Sequence, residues 1–236
     1  MSSPSVPRVL VLFDVDHTLI ETRGVGREMY ERVFPVVTGV SFRELAAVSG
    51  RTELDILRET LELHGIAPTN PAVGELAAAL VQGYEAARGE LAERGRVLPG
   101  ARETLAMVAA NDGIYQGVLT GNLRGVARTK LEVFELDGYL DLEASAYGDD
   151  NPRRSELVAI AQRRATERTG VVFGNQRTVL IGDTPKDVEA ALTAGVRVIG
   201  VASGKSSMDE LRTAGATQVL ADLAEPADVV RAITEA

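Results

Sequence analysis

The chain has 236 residues, 45% hydrophobic and 25% charged, which is enough to bury a core as one large domain or as a domain with an insertion. The net charge of −9 argues against sequence-independent nucleic-acid binding, and the lack of cysteine excludes disulfides, thiol catalysis and cysteine-based metal sites. Residues 1–7 form a polar tail without the charged and apolar regions of a signal peptide, and no apolar run is long enough to span a bilayer. We therefore expect a cytoplasmic protein that binds neither nucleic acid nor membranes.

The first predicted element is a buried parallel strand over residues 8–14, which is short, continuous and rich in β-branched residues. Residues 22–96 instead show helical spacing of Leu and Ala among charged residues. We predict there one helix that ends near Gly65, and a stretch over 72–94 that is one long helix or two helices joined near Gly83.

From residue 97 onward, predicted strands alternate with predicted helices. The strands cover residues 114–119, 142–146, 178–181, 196–201 and 218–220. The helices cover residues 100–110, 123–134, 152–168, 185–194 and 208–214, with a last one from residue 227. This alternation implies right-handed crossovers and a parallel sheet covered on both faces, which is an α/β fold.

Two aspartates, Asp14 and Asp16, follow the first predicted strand one residue apart. Ligands of an open parallel sheet bind at the carboxyl ends of its strands, so this pair is a candidate functional site. A divalent cation held there would lie beside a carboxylate that is free to attack phosphorus, as in phosphoryl transfer through an aspartyl-phosphate. Aspartate is also common in plain turns, so the pair alone leaves a solvated strand end as an alternative.

Polar residues also follow the second strand and the strand at 178–181. Thr120, Gly121 and Asn122 stand at a predicted helix start, where they could bind an anion or simply cap the helix. Asp183 and Asp187 could hold a metal, although the spacing around them also fits a helix-capping box. Because the carboxyl ends of parallel strands meet at one edge, we expect these residues to lie near the first aspartate pair.

In this order, the motifs resemble those of the haloacid dehalogenase superfamily, and within it the phosphatases with a helical cap after the first strand. Residues 14–18 match the first motif, Thr120 the second, and Asp183 with Asp187 the acidic fourth motif. The resemblance covers nearly the whole chain. It implies a Rossmann-like parallel-sheet core over residues 1–21 and 97–236, with an inserted all-helical cap domain over residues 22–96.

The resemblance also implies a role for each motif residue. Asp14 would be the nucleophile and Asp16 the general acid and base. Mg²⁺ would be held by the Asp14 carboxylate, the Asp16 backbone carbonyl and the Asp183 carboxylate, with support from Asp187. Thr120 would donate its hydroxyl to a phosphoryl oxygen, while the backbone of the next two residues would offer N–H groups.

The cationic motif departs from the family pattern, because the expected region has no lysine. Arg153 and Arg154 stand there instead, in the first turn of a predicted helix, and either guanidinium could grip two oxygens. We favour Arg154 as the catalytic cation and place Arg153 near the substrate; the alternative is an exposed pair on a solvated helix face. His17 stands where the family often has glycine, and we expect a turn residue whose side chain points away.

The helical insertion resembles a mobile cap that closes over the site. Arg51, in a loop before a predicted cap helix, is the candidate contact for a substrate anion, although an exposed helix start explains it equally well. The lysines of the chain, Lys130, Lys186 and Lys205, all lie outside the cap. This argues against a phosphonate hydrolase that uses a cap lysine, and the acidic motif set argues against dehalogenation.

The resemblance therefore favours a Mg²⁺-dependent phosphatase of a small phosphorylated metabolite, similar to phosphoglycolate phosphatases. A phosphomutase resembling β-phosphoglucomutase and a catalytically silent phosphate-binding homologue are the alternatives. We expect a monomer or a weak homodimer.

Overall fold

A five-stranded parallel sheet forms the centre of the computed structural model, which describes residues 8–235. The predicted polar tail at residues 1–7 therefore lies outside the described residues. The strand order is β4-β1-β5-β6-β7. The strands are β1 (Val9–Phe13), β4 (Ile114–Val118), β5 (Thr178–Gly182), β6 (Arg197–Val201) and β7 (Gln218–Leu220). A separate antiparallel pair joins β2 (Ile20–Glu21) to β3 (Arg96–Val97).

Helices cover both faces of the sheet, as the alternation predicted. Four lie between β2 and β3: α1 (Val25–Thr38), α2 (Glu53–Leu63), α3 (Asn70–Ala86) and α4 (Arg88–Arg94). Six follow: α5 (Ala101–Ala109), α6 (Arg124–Val133), α7 (Glu156–Thr169), α8 (Pro185–Ala194), α9 (Met208–Ala214) and α10 (Pro226–Thr234). The α/β fold class is confirmed.

Alternating side chains of β1 divide the core into two layers. Val11 and Phe13 pack into one hydrophobic cluster, and Leu10 and Leu12 pack into the other. All four side chains are fully buried, because a central parallel strand is covered on both faces. Complete burial of one such side chain stabilises the fold by about 1.5–3 kcal/mol. This strand therefore holds the residues that follow it on a rigid base.

The helices α1 to α4, hereafter the helical insertion, share the first hydrophobic cluster with the sheet. The β2–β3 pair brings the two chain connections of the insertion side by side. The break between α3 and α4 falls at Ala87 rather than near Gly83. Gly83 lies inside α3, where an added Cβ would come within 3.1 Å of Val33, so this glycine allows close helix packing.

Two predicted elements differ from the structure. Residues 142–146 form a turn with one isolated bridge, Leu119 to Ala146, because the Asp141 carboxylate accepts two backbone N–H groups at the start of that segment. Helix α7 begins at Glu156 rather than near residue 152, since the Asn151 side chain accepts the N–H of Arg153 at 2.8 Å and forms a turn there. Across residues 8–235, none of the helices combines the length and apolarity needed to cross a bilayer.

Candidate active site

The turn after β1 places two aspartates at the edge of the sheet. The Asp14 N–H donates to the Ile181 carbonyl at 2.8 Å, which extends the β1–β5 pairing by one residue. The chain then turns back, with a bridge between Asp16 and Ile20. His17 adopts a left-handed conformation at φ 61°, which is uncommon for a residue with a side chain. The predicted turn is confirmed, but His17 lines the pocket beside Asp16 rather than lying outside it.

A pocket of about 350 Å³ opens between this sheet edge and the helical insertion. Its walls include Asp14, Asp16, Thr120, Gly121, Asn122, Lys130, Arg154 and Asp183 from the core, and Arg27, Tyr30, Arg51, Glu53 and Tyr84 from the insertion. Its volume fits a small molecule. The strand ends predicted to share one edge therefore do share one pocket.

Three buried carboxylates, those of Asp14, Asp183 and Asp187, offer oxygens that lie within 4.8 Å of one another. We call this group the aspartate cluster. Burial, with the nearby Asp187 and Asp16 charges and against the opposing Arg154, raises the pKa of Asp14 to about 7. Burial and the Asp14 and Asp187 charges raise the pKa of Asp183 to about 8. Ionised carboxylates therefore repel one another here unless a cation lies among them.

Asp187 serves two structures at once. Its Oδ2 accepts hydrogen bonds from the N–H and the hydroxyl of Thr184, at 3.0 and 2.6 Å, which forms the predicted capping box of α8. Its Oδ1 is buried and has no hydrogen-bond partner, although it forms an ion pair with Arg154 at 2.5 Å. Capping and participation in the cluster are therefore compatible, because each uses a different oxygen.

Arg154 supplies the cation of the cluster from the loop before α7. Its guanidinium donates to Asp14 Oδ1 at 2.7 Å, and its side chain is 9% exposed. Asp150 holds this loop in place by accepting hydrogen bonds from the Tyr147 N–H and the Arg164 guanidinium. Arg153, in contrast, has a side chain that is 76% exposed and pairs with Glu156. The structure therefore brings Arg154 into the site and leaves Arg153 outside it.

A divalent cation fits the aspartate cluster. Three carboxylates and one guanidinium carry a formal charge of −2 when all are ionised, so a divalent cation would balance the charge of the cluster. The neighbouring backbone approaches closely, because a Cβ at Gly204 would lie 1.9 Å from Asp183 Oδ2. An all-oxygen donor set of this kind suits Mg²⁺.

A second group surrounds Asp16 and contains a lysine that the sequence patterns did not single out. The Lys130 ammonium lies 2.9 and 2.7 Å from the two carboxylate oxygens of Asp16 and 2.7 Å from Asn122 Oδ1. The Asn122 amide donates to Asp16 Oδ2 and to the Thr120 hydroxyl, each at 2.7 Å. Burial alone would raise the pKa of Asp16, but the Lys130 charge and the hydrogen bonds from Lys130 and Asn122 outweigh it, so this pKa is lowered.

The sequence contained one signal for Lys130. Val126 and Lys130 on α6 and Phe134, which directly follows that helix, are four residues apart, so the lysine lies within a stripe that is otherwise apolar. A lysine at such a position is buried, and a buried ammonium requires a partner. The pattern could not identify that partner, because Asp16 lies 114 residues earlier in the chain.

The two remaining predicted substrate contacts lie where the insertion touches the core. Arg51 lines the pocket, but its guanidinium donates to Asp55 at 2.7 Å and pairs with Glu59, so its charge is already matched within the insertion. Gly121 accepts the Glu53 N–H at 2.7 Å, and a Cβ at this glycine would lie 2.0 Å from the Arg51 carbonyl oxygen. Gly121 therefore permits close contact between core and insertion.

The chain belongs to the haloacid dehalogenase-like hydrolases, whose family model matches residues 11–201. It is 27% identical over 220 residues to IndB of Dickeya dadantii, named a probable phosphatase, with 90% of this chain and 89% of that protein covered. It is 26% identical to the phosphoglycolate phosphatase of Escherichia coli O157:H7, with 82% and 81% covered. The family resemblance drawn from the motifs is thus confirmed.

Solved structures of low sequence identity share the fold. A hydrolase from Pseudomonas syringae superimposes with a TM-score of 0.71 at 20% identity, covering 97% of this chain and all of that one. A provisionally named β-phosphoglucomutase from Bacteroides vulgatus gives a TM-score of 0.66 at 17% identity, covering 97% and 90%. These likenesses extend over the insertion as well as the sheet.

Proposed function

We propose that this chain is a Mg²⁺-dependent phosphomonoesterase that acts on a small phosphorylated metabolite in the cytoplasm through an aspartyl-phosphate on Asp14. The observation that carries the proposal is the aspartate cluster with Arg154, at the strand end where Asp14 lines a small-molecule pocket. Relatives named as phosphatases support it.

Asp14 and Asp16 divide the proposed chemistry. A carboxylate oxygen of Asp14 bonds to phosphorus while the bond to the leaving oxygen breaks, and protonated Asp16 gives that oxygen its proton. Water then attacks phosphorus, Asp16 takes the water proton, and the bond to Asp14 breaks, with the electron pair returning to the carboxylate. The proton taken in the second step is available for the next leaving group, so the cycle closes.

Other residues bind the phosphoryl group and balance charge in this proposal. Arg154 compensates the negative charge that gathers around Asp14, and the Thr120 hydroxyl donates to a phosphoryl oxygen. Asp14, Asp183 and Asp187 would hold Mg²⁺, together with the backbone carbonyl of Asp16. When bound, the ion removes the repulsion between the phosphate dianion and the Asp14 carboxylate.

We further propose that the helical insertion is the cap of the site, bounded by residues 22 and 96. The β2–β3 pair carries both connections, and the first residue of α2 contacts the core, since the Glu53 N–H donates to the Gly121 carbonyl. Such a cap excludes bulk water from the phosphoenzyme and places selective side chains against the leaving group.

We expect a small substrate. Phosphoglycolate is among the first candidates, by analogy with the relatives named phosphoglycolate phosphatase. Because Arg51 is paired within the insertion, a substrate carboxylate would instead meet Lys205, which also lines the pocket. A leaving group without a negative charge would meet Tyr30, Glu53 and Tyr84.

Hydrolysis of p-nitrophenyl phosphate with Mg²⁺ and with EDTA tests the enzyme class, and a panel of phosphorylated metabolites then ranks substrates. We expect Mg²⁺-dependent phosphate release that is strongest for one small metabolite. Absence of release from every member would reject the phosphatase. Formation of a sugar-phosphate isomer without phosphate release would indicate a phosphomutase.

A further inference from the structure

Lys130 is a buried cation that the mechanism above does not use. Its side chain is 4% exposed, whereas that of its partner Asp16 is 32% exposed to the pocket. An ammonium is strongly hydrated, and its transfer into a protein interior costs several kcal/mol unless partners replace the water. The partners of Lys130 therefore indicate what the residue contributes.

Those partners belong to the acid–base side of the site. The Lys130 ammonium lies within 2.9 Å of both Asp16 oxygens and of the Asn122 side-chain oxygen. The Tyr84 ring of the insertion covers it, with the nitrogen 5.2 Å from the ring centre. Three oxygens and one aromatic face thus surround the cation, which leaves it poorly placed to bind a phosphoryl group as well.

Asn122 links Lys130, Asp16 and Thr120 in one hydrogen-bond network that fixes the orientation of its members. Its side-chain oxygen accepts from Lys130, so its NH₂ group must point the other way, towards Asp16 and the Thr120 hydroxyl at 2.7 Å each. Lys130 therefore determines the orientation of the amide, and both together determine the orientation of the Asp16 carboxylate. Neither residue is bonded to Asp14.

We propose that Lys130 is a positioning residue, which holds the Asp16 carboxyl, directly and through Asn122, in the orientation from which Asp16 exchanges a proton with the leaving oxygen and with water. This inference rests on the proposed phosphatase function. The ammonium keeps its own protons throughout, so the bond changes at phosphorus are those already described. Tyr84 connects the network to the insertion, because its ring covers the Lys130 ammonium.

The test compares two phosphate esters whose leaving groups differ in whether they must be protonated as they depart. Nitrophenolate leaves without one, whereas the alkoxide of an alkyl phosphate requires general-acid help. In Lys130→Met we expect kcat/KM to fall about 10- to 100-fold for an alkyl phosphate, as expected for a misplaced catalytic group, and to change little for p-nitrophenyl phosphate. We also expect phosphoenzyme to accumulate, because Asp16 no longer activates water well.

A double-mutant cycle separates positioning from a general structural role. If Lys130 acts through Asp16, Lys130→Met adds little loss in an Asp16→Asn background, and the two losses are strongly non-additive. Lys130→Arg should recover part of the alkyl phosphate activity, since a guanidinium can still hold a carboxylate. Lys186→Met is the matched control, because that lysine is exposed and pairs with Glu189 on the surface of α8; its activity should equal that of the wild type.

Other results would overturn the inference. Equal losses of kcat/KM for both esters, or losses that add to those of Asp16→Asn, would show that Lys130 binds the phosphoryl group or only supports the fold. If Lys130→Met does not fold, Lys130→Gln, which keeps a donor but no charge, serves in its place with the same two esters. A wild-type protein inactive on both esters would instead reject the proposed function, so the two failures are distinguishable.

Discussion

A single residue separates Asp14 from Asp16 in the sequence, yet their carboxyls lie in different electrostatic surroundings. Asp14 shares one guanidinium with Asp187 and lies near Asp183, and burial raises its pKa to about 7. Asp16 faces Lys130 and Asn122, whose charge and hydrogen bonds outweigh burial and lower its pKa. On the Asp14 side one guanidinium faces three carboxylates, whereas on the other side the Lys130 ammonium matches the charge of Asp16. Because the two carboxyls have separate partners, one strand end can provide both a cation site and a proton-transfer site.

The largest expected effect comes from the nucleophile. In Asp14→Asn we expect turnover to fall at least about 10⁴-fold, because the attacking oxygen is lost. The protein should still fold, since the amide has the same shape and removes one of three repelling carboxylates. Steady-state kinetics and circular dichroism check both points. Retained hydrolysis by this variant would reject Asp14 as nucleophile.

Asp16→Asn should slow turnover about 10²- to 10⁴-fold, the range for a lost general acid and base. Phosphoenzyme should accumulate, because Asp14 can still be phosphorylated by a substrate with a good leaving group while water is no longer activated. Acid-quench trapping of labelled protein measures this. If phosphoenzyme does not accumulate and the rate is unchanged, Asp16 is not the general acid and base.

Arg154 offers a matched pair of substitutions on the aspartate side. Arg154→Met leaves three buried carboxylates without a protein cation, so we expect a loss of about 3–5 kcal/mol in metal-free unfolding free energy, partly restored by Mg²⁺. Arg154→Lys returns the residue type usual in the family and should keep measurable activity. Urea unfolding with and without Mg²⁺ measures the first effect. If Arg154→Met is as stable as the wild type without metal, the charge balance described for the cluster is wrong.

A smaller effect concerns pH and the metal. Since the pKa values of Asp14 and Asp183 are raised from 3.8 to about 7 and about 8, the folded metal-free protein holds protons that the unfolded chain has released. The unfolding free energy of the metal-free protein should therefore fall as pH rises from 3.8 to about 8. Mg²⁺ binds the ionised carboxylates, so its gain in melting temperature should grow over the same range. A gain that is equal at pH 5 and pH 8 would contradict this.

The smallest effect lies at the mouth of the pocket. If the preferred substrate carries a carboxylate, Lys205→Met should raise its KM about two- to fivefold, because exposed ion pairs contribute below about 1 kcal/mol. The KM of p-nitrophenyl phosphate should stay the same. Equal effects on the two substrates would show that Lys205 acts on the shared phosphoryl group.

The strand ends were predictable because they depend on local sequence. All five strands of the sheet coincide with predicted strands, and β1 and β5 are each followed by an aspartate that lines the pocket. The turn at 142–146 was not predictable in this way. Its apolar residues favoured a strand, whereas hydrogen bonds from the backbone to the Asp141 carboxylate form a turn.

Contacts between segments that are distant in the sequence were harder to predict. The position of Arg154 in the site depends on a loop held by Asp150 and Arg164. The pairing of Arg51 with Asp55 and Glu59 depends on the rotamer that Arg51 adopts just before α2. The sequence analysis favoured Arg154 over Arg153 but could not show where either guanidinium lies, because charge and helical period do not encode the direction of a long side chain.

By itself, the sequence determined the alternation of strands and helices, the family, and the set of acidic residues at the carboxyl edge of the sheet, because each follows from short-range pattern and from the geometry of parallel strands. Only the tertiary structure decided that Arg154 balances Asp14 and that Lys130 holds Asp16. These contacts join residues more than one hundred positions apart, and they form only after packing of the sheet, the loop before α7 and the insertion removes water from the side chains between them.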